Sequence, residues 1–253
     1  MSTKKFLYAC VCYALFVLIC IHYVQVDIST EQYMSVWARM FYVSCMSILL
    51  YVGSYVLVKD SRCKVRRFWF YGTFLILFIL YVFTIVQLTL LDPVLGRNTS
   101  LAMSFHNIRE YIKETANFKP LYMIQLYWNG YQNEVITLEQ FIMNMGGNAV
   151  IMMPMGFFLP ILNKKYARFG KFVSIVLVMI LMIEVAQAIT MRGYFDVDDI
   201  FLNLVGACIM FIVLKLPFLQ RFMKWLMGEK DSCWYSGSTC CRIGRFLYCN
   251  EKT

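Results

Sequence analysis

Six stretches of the chain are apolar over a length that crosses a bilayer, which takes about 20 residues as a helix. They are Phe6–Val24, Met40–Val58, Phe68–Leu91, Phe141–Leu162, Phe172–Met191 and Ile200–Leu219. With 60% apolar and only 15% charged residues among 253, the chain departs from soluble domains, which carry roughly 45–50% and about 25%. A soluble globular protein and a disordered one are both excluded. Backbone groups inside a bilayer must satisfy one another, so the stretches are expected to be helices, and the alternation a β-barrel needs is absent. The fourth stretch carries Asn144, Gly146, Gly147, Asn148, Pro154 and Gly156, and the sixth is interrupted by Asn203 and Gly206. The expected fold is an all-α, polytopic bundle of about six membrane helices. The first stretch follows Lys4 and Lys5 but is too long for a signal peptide and lacks a small-x-small cleavage site, so it reads as a retained anchor.

Charge sets the direction of insertion. Alternate loops place 18 of the 24 basic residues and four of the 15 acids on one side, a net of +14, and leave six basic and eleven acidic residues, a net of −5, on the other. The positive side is expected to be cytoplasmic, with both termini on it. The overall excess of nine positive charges then sets topology and meets anionic headgroups, and no nucleic-acid partner is implied. The chain divides into a three-span region over 1–91, an outer loop over 92–140, a three-span core over 141–219 and a basic, cysteine-containing tail over 220–253.

The outer loop holds an amphipathic stretch, Ser104–Asn117, with Phe105, Ile108 and Ile112 on one side and His106, Arg109, Glu110, Lys113 and Glu114 around the other. Such a helix suits the interface plane. Tyr122, Tyr127, Trp128 and Tyr131 are of types that favour the headgroup level. The loop is expected to rest on the outer leaflet, with a lid over a site as the sharper alternative. Asn98-Thr99-Ser100 matches a glycosylation sequon. Of ten cysteines, Cys10, Cys12, Cys20, Cys45 and Cys208 fall in spans, where cysteine behaves as a small apolar residue. Cys63, Cys233, Cys240, Cys241 and Cys249 fall on the cytoplasmic side, where thiols stay reduced. The tail cysteines have neither CxxC spacing nor a nearby histidine, which argues against zinc.

The informative residues are polar ones in the last three spans, since an ionisable group in a membrane segment is costly and marks a candidate site. Glu184 and Gln187 are three apart and share a helical face. Arg192 and the run Asp196-Val197-Asp198-Asp199 follow, then Asn203. Asp196, Asp199 and Asn203 share a face, as do Asn144 and Asn148 on the fourth span, and all lie in the outer half of the membrane or just above it. In a structural reading Arg192 pairs with Glu184 or an aspartate, Asn144, Asn148 and Gln187 bridge helices, and Asp196 or Asp198 caps the sixth helix. In a functional reading they form an outward-opening pocket for a headgroup or sugar. A divalent cation on Glu184, Asp196, Asp198 and Asp199 is the weaker variant. No catalytic constellation is legible: His22 and His106 are far apart, and no GxSxG or Cys–His pair is present.

The segments NMGGNAVIMMPMGFFLP (144–160) and EVAQAITMRGYFDVDDIFLNLVGA (184–207) resemble the VanZ-like membrane protein family. The shared positions are Asn144, Asn148, Pro154, Gly156, Pro160, Glu184, Gln187, Arg192, Asp196, Asp199, Asn203 and Gly206, with Asp198 as the extra acid of the DxDD form. NFKPL (117–121) is similar to the family's N-L-x-P-F segment and adds Asn117 and Pro120. The likeness covers roughly 117–215. It implies a bacterial cytoplasmic-membrane protein acting at the cell envelope, and the family takes its name from a protein associated with low-level teicoplanin resistance. Three functions follow as expectations. One is a non-enzymatic envelope protein whose pocket binds a lipid-linked cell-wall precursor or a lipoglycopeptide. Another is a membrane enzyme acting on an outer-leaflet lipid. A small transporter ranks last, because the ionisable groups crowd one side and no inverted repeat is evident. No cofactor is expected beyond the weak cation reading; membrane lipids are expected partners, and the oligomeric state stays open.

Overall fold

The computed structural model describes residues 3–28, 34–91 and 104–226. The sequon at Asn98 and the tail cysteines 233, 240, 241 and 249 lie outside them. Nine α-helices are present among the described residues: α1 (Thr3–Ile28), α2 (Val36–Val58), α3 (Cys63–Val86), α4 (Phe105–Thr115), α5 (Tyr122–Gln132), α6 (Leu138–Leu162), α7 (Phe169–Thr190), α8 (Val197–Val213) and α9 (Pro217–Leu226). Five of them, α1, α2, α3, α6 and α7, are long and apolar enough to cross a membrane, and α8 with α9 adds a sixth if the bent pair is one span. In each of the five at most 28% of the apolar window is buried within the chain. Phe6, Leu18, Phe41, Ile48, Phe68, Ile142, Val150 and Met182 are all exposed. Apolar surface on that scale is not carried by a monomer in water, and the chain is a multi-pass membrane protein.

The expected sixth span, Ile200–Leu219, is corrected. Its helix starts at Val197 and stops at Val213, and Lys215 and Leu216 donate their N–H groups in tight turns to Ile212 and Val213. Pro217 explains the break, because proline disfavours helix in the residue before it and suits the first position of a new one. The outer loop contains the expected amphipathic helix as α4 and a further helix, α5, that was not expected. Ser104 caps α4 and Ser35 caps α2 through their hydroxyls. Thr137 and Gln140 form a reciprocal capping box that starts α6 three residues before the expected span.

The chain forms two compact units, one carrying α1–α3 and α9, the other running from Ile85 to Leu216. In the first, Tyr23, Met34 and Met46 form a buried cluster with Phe16, Tyr42 and Leu80 packed against it. A hydroxyl chain crosses three helices there: Tyr13 and Ser54 are 3.0 Å apart, and Thr73 donates to Ser54 at 2.7 Å. Such bonds join helices where lipid offers no hydrophobic drive for association.

The second unit is built on α6 against α8. A Cβ added at Gly206 would lie 1.9 Å from the Ala149 carbonyl oxygen, and one at Gly156 would lie 2.6 Å from both the Ala207 carbonyl oxygen and the Phe211 nitrogen. Both glycines are therefore points of backbone-to-backbone approach, the arrangement small residues permit in membrane helices. Pro154 and Pro160 sit inside α6, where the bilayer context tolerates them. Below the crossing, Phe172 of α7 stacks on Phe211 of α8 with centroids 4.5 Å apart.

Candidate polar site at the start of helix 8

Helix α8 begins where α7 ends, and the turn between them gathers most of the polar residues of the second unit. Asp196 is the N-cap of α8, accepting the Asp198 N–H at 2.8 Å. Its carboxylate also accepts from the Asn117 side-chain amide at 2.9 Å. The backbones of the two segments pair there: Asn117 N–H donates to the Phe195 carbonyl at 2.8 Å, and Val197 N–H to the Asn117 carbonyl at 3.2 Å. Asn117 and Asp196 thus tie the outer segment to the α7–α8 turn by main chain and side chain together. Burial pushes the Asp196 carboxyl above its usual value, against the stabilising Asp198 N–H and Asn117 amide.

Asp198 is 2% exposed and caps a different helix from its own. Leu121 is the N-cap of α5 and has no side chain that can accept. Asp198 supplies the acceptors instead: Leu121 N–H donates at 2.5 Å, Met123 at 2.8 Å and Ile124 at 3.4 Å. A carboxylate at a helix N-terminus meets both free N–H groups and the positive end of the dipole. The anchoring holds Leu121 in the left-handed region at φ 64°. Pro120 stands exposed just before it.

Asp199 accepts from the Asn148 side chain of α6. Glu184, on α7, is 2% exposed and accepts the Asp196 N–H at 3.2 Å. Asn203 is buried, and its amide oxygen is enclosed without a hydrogen-bond partner among the described residues.

Two placements differ from expectation. Arg192 forms no ion pair with Glu184 or the aspartates among the described residues; its guanidinium donates to the Leu90 carbonyl at 2.7 Å. Gln187 likewise donates to the Thr89 carbonyl at 3.3 Å. Both carbonyls belong to the π-helical turn Gln87–Leu91 that ends α3, where wider winding disturbs the ordinary ladder. Asn144 is exposed and donates to the Gln140 carbonyl of its own helix at 2.7 Å, so it does not join the cluster. Of the α6 pair only Asn148 does.

The expected amphipathic stretch is α4. It packs on α7, with Ile108 and Ile112 half-buried but Phe105 fully outward. Tyr111 donates to the Gly193 carbonyl at 3.1 Å and its ring stacks near Tyr194. Tyr111, the Thr89 and Leu90 carbonyls and the Leu121–Ile124 N–H groups escaped sequence reasoning. Backbone groups carry no side-chain signal, although Gln87 and Thr89 at the end of an apolar span were a polar hint.

Among the described residues no three of His, Cys, Asp and Glu gather into a group that would hold a metal ion. Asp198 spends both oxygens on backbone N–H groups and Asp196 spends one of its two on a backbone and an amide N–H, which leaves the cation reading of Glu184, Asp196, Asp198 and Asp199 resting on their chemistry alone. The four carboxylates join the Asn117 segment, α5, α6, α7 and α8, and Glu184, Asp196, Asp199 and Asn203 keep unused acceptor capacity among the described residues.

No curated protein and no solved structure matches the chain. The sequence model of the VanZ/LLP1 family matches residues 68–219, from α3 through the helices that build the polar cluster. The chain belongs to the VanZ/LLP1 family, as a multi-pass helical membrane protein.

Proposed function

We propose that the protein acts at the bacterial cell envelope, in the cytoplasmic membrane, with the polar cluster opening outward to receive the headgroup of a lipid-linked cell-wall precursor or of a lipoglycopeptide. The observation that carries this reading is Glu184. It is buried in a membrane-length helix, accepts a single backbone N–H, and has no cationic partner among the described residues. A carboxylate in that position costs several kcal/mol unless something compensates it, and packing alone does not call for it. Exposed Phe118 and Leu121 just before α5 and Tyr122, Leu126 and Trp128 along it would form an apolar, partly aromatic rim at headgroup level. The positive loops between spans support the outward direction.

The test is expression in a glycopeptide-susceptible bacterium. The intact protein is expected to raise teicoplanin tolerance, and Glu184→Gln, inserted to the same level, to abolish the gain. Unchanged susceptibility with the intact protein would remove this function. The enzymatic reading has one observation in its favour: Glu184 on α7 accepts the Asp196 N–H at the start of α8, three residues before Asp199, and neighbouring carboxylates are the raw material of acid–base chemistry. Lipid profiles with and without the gene separate the two: an unchanged lipidome leaves binding and removes catalysis.

A further inference from the structure

We infer that residues 117–124 form a lid over the carboxylates at the start of α8, latched by Asp198, and that a headgroup reaches them only when this strap lifts. This deepens, and rests on, the headgroup-binding reading above.

The carboxylates are shut away while their cover is thin. Glu184 and Asp198 are 2% exposed and Asp196 3%, so a headgroup arriving from water meets none of them in this conformation. The strap lies directly against two of the three. Asn117 pairs by main chain with Phe195 and Val197, and its side-chain amide donates to Asp196. The N–H groups of Leu121, Met123 and Ile124 donate to Asp198. Glu184 stands behind Asp196 and accepts its N–H. Yet Phe118, Lys119, Pro120 and Leu121 are exposed, and neither α4 nor α5 buries a single side chain.

Such a cover is held by hydrogen bonds to carboxylates and not by a hydrophobic core, the condition under which a segment opens locally ahead of the rest. Leu121 adds strain, since a residue other than glycine at φ 64° relaxes on release. The flanks are better anchored. Tyr111 of α4 donates to the Gly193 carbonyl. Trp128 and Tyr131 of α5 pack on Phe141 of α6, with the three ring centroids 5.9 to 6.2 Å apart. The strap between these anchors lifts about them, which frees the N–H donors at the start of α5 together with the carboxylates. Closing segments of this kind sequester a site from water and commit its ligand.

The experiment uses the full chain in dodecyl-maltoside micelles, with its ten cysteines replaced. Phe118→Cys and Phe195→Cys are introduced together, where the native rings lie 5.4 Å apart. A short bis-methanethiosulfonate reagent locks the strap, and reductant unlocks it. A water-soluble carbodiimide with glycine ethyl ester then labels accessible carboxyls, read residue by residue by mass spectrometry, with exposed Glu139 as the reference. Unlocked, Asp196 is expected to label about tenfold or more slowly than Glu139, as a site reached through local opening does. The lock is expected to slow Asp196 by about a further fivefold or more and to leave Glu139 unchanged. Asp198→Ala, without the cysteine pair, is expected to speed Asp196 labelling by about fivefold or more. Equal labelling of Asp196 in the locked and unlocked forms overturns the lid, as does no labelling of Asp196 in any form. A steep rise of the unlocked rate with sub-denaturing urea reports global unfolding and overturns it too. The headgroup reading falls separately, by the tolerance assay above.

Discussion

Asp198→Ala removes the carboxylate that holds the first turn of α5 while leaving α8's own cap, Asp196, in place. Of its three hydrogen bonds, those from Leu121 and Met123 are close and count fully, and the third, from Ile124 at 3.4 Å, is weak. A hydrogen bond to a charged group contributes about 1.5–3 kcal/mol, so the loss is about 3–6 kcal/mol. Release of Leu121 from its left-handed conformation, worth roughly 1–2 kcal/mol, offsets part of it. The net is about 1–5 kcal/mol, less than the whole stability of a typical domain, so the expected event is local opening and not global unfolding. Hydrogen exchange of the purified protein, read on peptides spanning 117–126, should speed up by about 0.7 to 3.5 orders of magnitude, because each 1.4 kcal/mol is tenfold. Peptides from α7 and from the middle of α8 should keep their protection. Asp199→Ala, which touches α6, should leave the 117–126 amides as they were. Unchanged exchange at Leu121–Ile124 in Asp198→Ala would refute the claim that α5 is capped from α8.

Two further outcomes follow from the same geometry. Asp196→Asn keeps an oxygen for the Asp198 N–H and the Asn117 amide and removes a charge that burial disfavours. It should match or exceed the wild type in thermal stability at neutral pH, whereas Asp196→Ala should lose about 0.5–2 kcal/mol of capping. Because the folded carboxyl lies above its unfolded value, its contribution favours folding at acid pH and is lost as pH rises through the folded value; Asp196→Asn should flatten that part of the stability–pH curve. Gly206→Ala should destabilise more than Gly156→Ala, since the added carbon meets backbone at 1.9 Å instead of 2.6 Å. Overpacking costs typically about 1–3 kcal/mol, and thermal midpoints of the two variants give the order.

Apolar length made the long helices legible in the sequence, because a bilayer tolerates no other backbone. It did not reveal where α8 ends. Asn203 and Gly206 drew attention as interruptions, yet both are helical, and the break comes at 214–216 before Pro217. Spacing within each helix, together with the charge count that set their depth, led to the expectation that Asn148, Glu184, Asp196 and Asp199 share a neighbourhood; the structure bonds Asn148 to Asp199 and Glu184 to Asp196. It could not show that Asp198 serves α5, because that bond joins a side chain to backbone N–H groups 74 to 77 residues away. Arg192 was expected beside a carboxylate because charge alone suggests it. The π-helical turn at Gln87–Leu91 offers carbonyls instead, and such a turn depends on tertiary contacts that no residue type announces.

The account's central claim is that the cluster around α8's first turn opens on the outer face of the membrane. In a background with all ten cysteines replaced, Tyr194→Cys places a thiol on the half-buried α7–α8 turn, and Lys165→Cys places one on the exposed loop between α6 and α7. A membrane-impermeant maleimide added to intact cells should label the first and spare the second, and the order should reverse for reagent confined to the cytoplasmic side of inverted vesicles. Labelling of position 194 only from the cytoplasmic side would contradict the topology, and with it the envelope-facing function built on Glu184.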